Sequence, residues 1–234
     1  MRRVVTSIVV LAMVSGVSLW AADNAPPAAP PAALPAPGPD GFIALFDGKD
    51  LTGWTNAAGR APGAAWVAQD GTMTLDKTKG RGGDIWTQHR FGDFVLDVEF
   101  KTEGNSGIFV RTDKPTDNVQ TGIEIQVFPP LPKADKHSCG AIYDLVAPCK
   151  EASKKGEWNH TIITCKGNLI AVEMNGDKIA DMDLDKWTEA GKNPDGSKNK
   201  FRTALKDFKR EGHIGLQDHG GKVAYRNIKI KPLN

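Results

Sequence analysis

The stretch FVLDVEFKTE, residues 94–103, sets Phe94, Leu96, Val98 and Phe100 against Val95, Asp97, Glu99 and Lys101 in strict alternation. Side chains of an extended chain point to opposite faces in turn, so this pattern predicts a strand with one side in a core and the other largely wet. Similar short runs recur on both sides of it, separated by Gly-rich turn signals, and no convincing helix of ten or more residues falls between them. That rhythm predicts an all-β fold, a two-sheet antiparallel sandwich. NLIAVEMNGDKIADMD, residues 168–183, reads as two strands joined at Asn175-Gly176, a strong hairpin signal. Residues 185–212 break the rhythm with a charged loop and one helical turn near Ala204–Phe208, and read as the least ordered part of the body.

The amino terminus belongs to a different physical class. Arg2 and Arg3 precede an apolar run from Val4 to Leu19, and small residues Ala21 and Ala22 follow Trp20. This layout predicts a secretory signal peptide over residues 1–22, with an uncleaved anchor as the competing reading. No Cys follows the apolar run, which argues against a lipid anchor. Residues 23–40 are nearly all Pro and Ala and read as an extended linker without chemistry of its own. Residues 41–234 then form one domain of ordinary size. Removal of the two amino-terminal arginines takes the formal charge of +2 to about zero, which gives no electrostatic case for nucleic acid. The expected location is periplasmic or secreted, with no stable membrane insertion once the signal is cut. In an oxidising compartment Cys139 and Cys149 can close a short loop, while Cys165, in the β-branched run TIITC, reads as a buried strand residue.

The same two-residue period sorts the polar residues. In TGIEIQVF (121–128), Ile123, Ile125 and Val127 point one way and Glu124, Gln126 and Phe128 the other. In HIGLQDHG (213–220), Ile214 and Leu216 oppose His213, Gly215, Gln217 and His219. In GNSGIFVRT (104–112), Ile108 and Val110 oppose Asn105, Gly107, Phe109 and Arg111. Polar strand faces usually meet solvent, and a lone Glu124, a turn residue such as His219 or an edge ion-pair partner such as Arg226 is ordinary. Amides and an aromatic with glycines between them are, however, suited to sugar hydroxyls and the apolar faces of pyranose rings. The interleaved glycines are expected to let a ligand approach the backbone. Trp54, Trp66 and Trp158 read as core, whereas Trp86 and Trp187 lie in loop-like surroundings suited to the rim of a site. A divalent metal through Glu124, His137 or His219 is possible, but no ligand spacing requires it.

GFIALFDGKDLTGW, GNSGIFVR, GIEIQVF, GAIYDL, GEWN, NG and HIGLQDHGGKVAYRNIKI occur here in the order and spacing of the 3-keto-disaccharide hydrolase family, which the chain resembles over residues 41–233. The resemblance implies a concanavalin-A-like jelly-roll, export from a bacterium and action on glycosides oxidised to a ketone at C3. It also implies Glu124 or His219 as the catalytic base, with Asn105, Arg111, Gln126, Tyr143, Gln217 and Arg226 binding substrate. After the strand bearing Glu124 the chain departs from the family pattern, with Phe128 and two prolines where many members carry an acid. Two rivals remain on the same fold. A conventional retaining glucanase needs paired carboxylates about 5–5.5 Å apart, and here the second acid has to come from another segment, such as Asp144 or Asp218. A carbohydrate-binding module needs the same face without a base.

Overall fold

A computed structural model describes residues 30–233, so the expected signal peptide and the first part of the linker lie outside the described residues. Thirteen strands follow one another: β1 (Ile43–Ala44), β2 (Trp54–Asn56), β3 (Trp66–Gln69), β4 (Thr72–Leu75), β5 (Ile85–Thr87), β6 (Phe94–Thr102), β7 (Ser106–Thr112), β8 (Ile123–Val127), β9 (Asn159–Lys166), β10 (Leu169–Met174), β11 (Asp177–Asp183), β12 (His213–Leu216) and β13 (Val223–Pro232). They form two antiparallel sheets. The larger has the order β11-β10-β9-β6-β13-β4-β3, with β1 also paired to β13, and the smaller has the order β2-β5-β12-β7-β8.

The two-sheet sandwich follows from the alternation that predicts it. Phe94, Leu96, Val98 and Phe100 are all at most 1% exposed and meet the inner residues of the smaller sheet, among them Ile108, Val110, Ile123, Ile125, Ile214 and Leu216. Burying each such side chain contributes about 1.5–3 kcal/mol of transfer free energy. One polar bond crosses this core: Ser106 Oγ and Tyr225 Oη lie 2.7 Å apart, and the Ser106 hydroxyl also lies 2.7 Å from the Gln217 carbonyl oxygen. The hairpin between β10 and β11 turns at Asn175 and Gly176, with φ of 52° and 90°, as Asn-Gly predicts.

Several local expectations are corrected. All three thiols are free, with Cys139 and Cys165 buried and Cys149 exposed. Burial pushes the Cys139 and Cys165 thiols up to about 11 and about 12. Trp158 is only half-buried, because it precedes β9 on the outer face of the larger sheet, where the Arg226 guanidinium lies 4.1 Å from its ring centre. Trp187 is core, not rim, its indole N–H donating to Asn193 Oδ1 at 2.8 Å. The segment 185–212 is tied down throughout: Asn193 donates to the Asp144 carbonyl, the Lys200 amide donates to Asp144 Oδ2, and Phe201 is 2% exposed. Charge in its sequence reports a wet outer side, not a lack of fixed structure. The helical turn is a 3₁₀ turn at Leu205–Asp207.

Candidate active site

The outward face of the smaller sheet is built in rows. Register places Thr55, Trp86, Gly215, Phe109 and Glu124 side by side across β2, β5, β12, β7 and β8. One step further along the strands, Gly107 lies opposite Gln126, and the Gln217 amide donates to the Gly107 carbonyl. Glycine at two of these positions leaves the surface flat. A Cβ on Gly107 would stand 2.5 Å from Glu124 Oε1, and one on Gly215 would overlap the Trp86 ring. The hollows are therefore filled by the protein's own Glu124 carboxylate and Trp86 indole, and are not gaps for a ligand to reach the backbone. Trp86, expected at a rim, is a strand residue 1% exposed, tilted against Phe109 with ring centres 5.4 Å apart.

Glu124 is the focus of the polar groups. Its side chain is 6% exposed; Gln217 Nε2 donates to Oε1 at 2.9 Å and Lys200 Nζ to Oε2 at 3.3 Å. Burial raises its pKa, the Lys200 charge and the hydrogen bonds from Lys200 and Gln217 oppose the rise, and the charge of Asp84 adds to it. Asp84 accepts from Asn118 Nδ2 at 2.7 Å and from the Asp218 amide at 2.8 Å. Its pKa is also raised, first by burial and then by the neighbouring Asp218 charge. Lys200 stands 4.4 Å from the centre of the Tyr143 ring. The Tyr143 hydroxyl is raised by burial and by the charge of Glu124. Asp218 is pushed up by burial but held low overall by its bond to Lys77 and by the amides of Gly83 and Gly220.

Asn105, Glu124, Gln126, Tyr143 and Gln217 thus come together: Gln126 Nε2 donates to Asn105 Oδ1 at 3.2 Å, and the remaining contacts run through Glu124 and Lys200. His219 lies exposed in the loop after β12, close enough to Asp84 for its charge to act on that carboxylate. His137 packs edge-on to Tyr143 with ring centres 4.9 Å apart. Among the described residues no three His, Cys, Asp or Glu side chains converge as metal ligands would.

Two expected members lie elsewhere. Arg111 has φ of 52° and is the extra residue of a bulge, since β7 advances three residues from Phe109 to Thr112 while β12 retreats two from Gly215 to His213. The bulge hands the outward position to Thr112. Arg111 itself is buried and donates to the Gly92 and Gly167 carbonyls at 3.1 and 2.6 Å and to Asp93 Oδ1 at 2.8 Å. Arg226 is on the other sheet, paired with Glu99 Oε2 at 2.6 Å. Sequence reasoning in turn missed Asp84 and Lys200. Alternation in DIWTQ puts Asp84 on the face of Trp86 and Gln88, so it was findable; Lys200 comes from a loop with no periodic signal.

Among the described residues five buried side-chain polar atoms lack any hydrogen-bond partner, and four of them, on Trp86, Thr112, Gln126 and Gln217, belong to this one sheet face. An unpaired buried donor or acceptor costs about 1–3 kcal/mol, so this face carries polar groups that the chain's own side chains do not satisfy.

Known proteins resemble this chain over most of its length. Residues 41–231 match the sequence model of a family described as the 3-keto-alpha-glucoside-1,2-lyase-like domain. A 3-keto-disaccharide hydrolase of Bacteroides thetaiotaomicron is 27% identical over 230 residues, covering 83% of this chain and 79% of that protein. Two crystal structures from Parabacteroides distasonis, each carrying the provisional description of a glycosyl hydrolase, superpose with TM-scores of 0.72 and 0.67 at 33% and 26% identity. They cover 82% and 83% of this chain and 99% and 95% of their own.

Proposed function

We propose, from the premise that this chain belongs to the 3-keto-alpha-glucoside-1,2-lyase-like domain family, that it is a glycoside hydrolase whose smaller-sheet face, at Glu124, cleaves 3-keto-glycosides by elimination and hydration. A ketone at C3 acidifies the hydrogen at C2. Glu124 takes that proton, and the electron pair of the C2–H bond becomes an enolate with its charge on the C3 oxygen. The Lys200 ammonium, beside Glu124, supplies positive charge where that oxyanion develops. Collapse of the enolate forms the C1–C2 double bond and breaks the bond from C1 to the glycosidic oxygen, which leaves with a proton from Asp84. Water then adds at C1 and a proton returns to C2, so the sum is hydrolysis. The export expected from residues 1–22 makes the substrate an extracellular or periplasmic sugar.

The observation that carries this reading is a buried carboxylate of raised pKa amid unpaired donors and acceptors. Such a group is a stronger base than a solvated glutamate and is poised nearer neutral pH. The proximity of Asp84 to Glu124 keeps a second reading alive, a conventional glycosidase using both acids. Incubation with a 3-keto-glucoside and its unoxidised parent separates them. Cleavage of the oxidised compound alone, with solvent deuterium appearing at C2 in heavy water, is the expected result. Cleavage of the parent transfers the case to the conventional glycosidase, and binding of both without turnover leaves a binding module.

A further inference from the structure

Between β7 and β8 the chain makes a single helical turn, α1 (Asn118–Thr121), which meets Asp84 on one side and the Lys200 loop on the other. Side chains two residues apart on a helix point about 200° away from each other, so Asn118 and Gln120 reach opposite neighbours. Asn118 Nδ2 donates to Asp84 Oδ2 at 2.7 Å; with the Asp218 amide donating to Oδ1, each oxygen of that carboxylate is held. Gln120 Nε2 donates to the Lys200 carbonyl at 3.0 Å, and Gln120 Oε1 accepts from the Arg202 amide at 2.9 Å. Lys200 is tied by its own amide as well, which donates to Asp144 Oδ2. The turn has a frame of its own. The Asp113 amide donates to the Thr121 carbonyl at 3.1 Å and the Lys114 amide to Thr121 Oγ1 at 3.0 Å. Gly122 lets it close onto β7, where a Cβ would stand 2.3 Å from Thr112 Oγ1.

We infer that α1 is a clip that fixes Asp84 and the Lys200 loop relative to Glu124, with Asn118 and Gln120 as positioning residues for the reaction. The inference rests on the elimination reading for what Asp84 and Lys200 do, not for how they are held. A carboxyl group turns broadly about its last torsion unless its oxygens are held, and an acid that protonates a leaving oxygen has to present one oxygen to it. The lysine ammonium rides on a flexible stem, so the place where that stem leaves the backbone decides how it meets Glu124. The two contacts also leave separate electrostatic marks. At Asp84, burial and the Asp218 charge raise the pKa, whereas the Asp218 amide, the Asn118 bond and the His219 charge lower it. At Glu124, burial and the Asp84 charge raise it, and the Lys200 charge with the bonds from Lys200 and Gln217 lower it.

Asn118→Leu and Gln120→Leu keep most of the volume and remove the hydrogen bonds; Asn118→Ala and Gln120→Ala take their place if either fails to fold. The measurement is the pH profile of kcat/KM for a 3-keto-glucoside, whose acidic limb reports the ionised base Glu124 and whose alkaline limb reports the protonated acid Asp84. The two carboxylates feel each other, so the limbs belong to the pair and the larger displacement is the one read. Asn118→Leu is expected to move the alkaline limb to higher pH by more than the acidic limb, with kcat about tenfold lower or more, because Asp84 keeps its proton but is free to turn. Gln120→Leu is expected to move the acidic limb to higher pH, with kcat about threefold to tenfold lower. A turn that only supports the fold lowers the melting temperature and moves no limb; limbs that stay in place in either variant overturn the clip. If the wild type does not cleave the 3-keto-glucoside, the elimination reading fails while the clip is still decided by carboxyl ¹³C NMR titration of the full chain. Upward movement of Asp84 in Asn118→Leu and of Glu124 in Gln120→Leu upholds it, and unmoved midpoints overturn it.

Discussion

Gly107 and Glu124 occupy one volume between them: the backbone of the glycine is bare where the glutamate carboxylate lies, 2.5 Å from the place a Cβ would take. Gly107→Ala therefore displaces the carboxylate. The expected result is a fall in kcat of about 100-fold, since a shift of about 1 Å in a reacting group has that effect, with about 1–3 kcal/mol of destabilisation from overpacking. Steady-state kinetics beside thermal melts check it; undiminished kcat means the carboxylate does no chemistry there.

Glu124→Gln removes charge at nearly constant volume. Turnover is expected to fall by about 10²–10⁴-fold, the usual share of a general base. Stability moves the other way. The folded-state pKa of Glu124 is raised, so between the unfolded and folded values the folded protein holds more protons and stability declines as pH rises through that window. The variant escapes that decline. Its melting temperature is expected to exceed that of the wild type at neutral pH, with the gain vanishing below the unfolded carboxylate range. A loss of stability at neutral pH contradicts the assignment.

Lys200→Met withdraws the charge and hydrogen bond that oppose the burial-driven rise at Glu124. The acidic limb of the kcat/KM profile is then expected to move to higher pH, so activity drops more at pH 6 than at pH 9. A uniform drop across the profile assigns Lys200 a role separate from the ionisation of Glu124.

Arg111→Lys tests whether the buried guanidinium is structural. Lysine cannot reach Asp93 Oδ1 and the Gly92 and Gly167 carbonyls together, so at least one carbonyl loses its partner, at about 1–3 kcal/mol. A lower melting temperature with kcat/KM of the folded enzyme unchanged is expected. A large rise in KM at full stability returns Arg111 to the binding surface.

Alkylation with iodoacetamide under native conditions is expected to add one group per chain, at Cys149. Cys139 and Cys165 are buried with thiols raised to about 11 and about 12, so their reactive thiolates are scarce at neutral pH. Peptide mass mapping reads the site, and modification at Cys165 contradicts the packing of β9.

Alternation made most of this architecture legible. Phe94 to Phe100 and Ile123 to Val127 bury what a two-residue period says they bury, and the same period put Glu124 and Gln126 on the site face. Arg111 shows where the rule stops. A single residue in the left-handed region shifts the phase of the strand, and nothing in the letters GIFVRT marks that shift. Lys200 was hidden for another reason: it reaches Glu124 from 76 positions away on a loop, where only tertiary folding decides what a side chain meets. Trp158 and Trp187 exchanged their expected places because neighbouring motif letters report local turns, not which layer a ring meets.

The bond between Ser106 and Tyr225 stitches the two layers of the sandwich together from β7, the neighbour of the strand that carries Glu124, and the same hydroxyl grips the backbone at Gln217. Sliding of one layer over the other would break that stitch and leave both hydroxyls stranded in the core. Adaptation to different substrates therefore falls to the rim, the loop carrying Lys200 above all, so that variants with altered taste for substrates are to be sought along that border of the sheet.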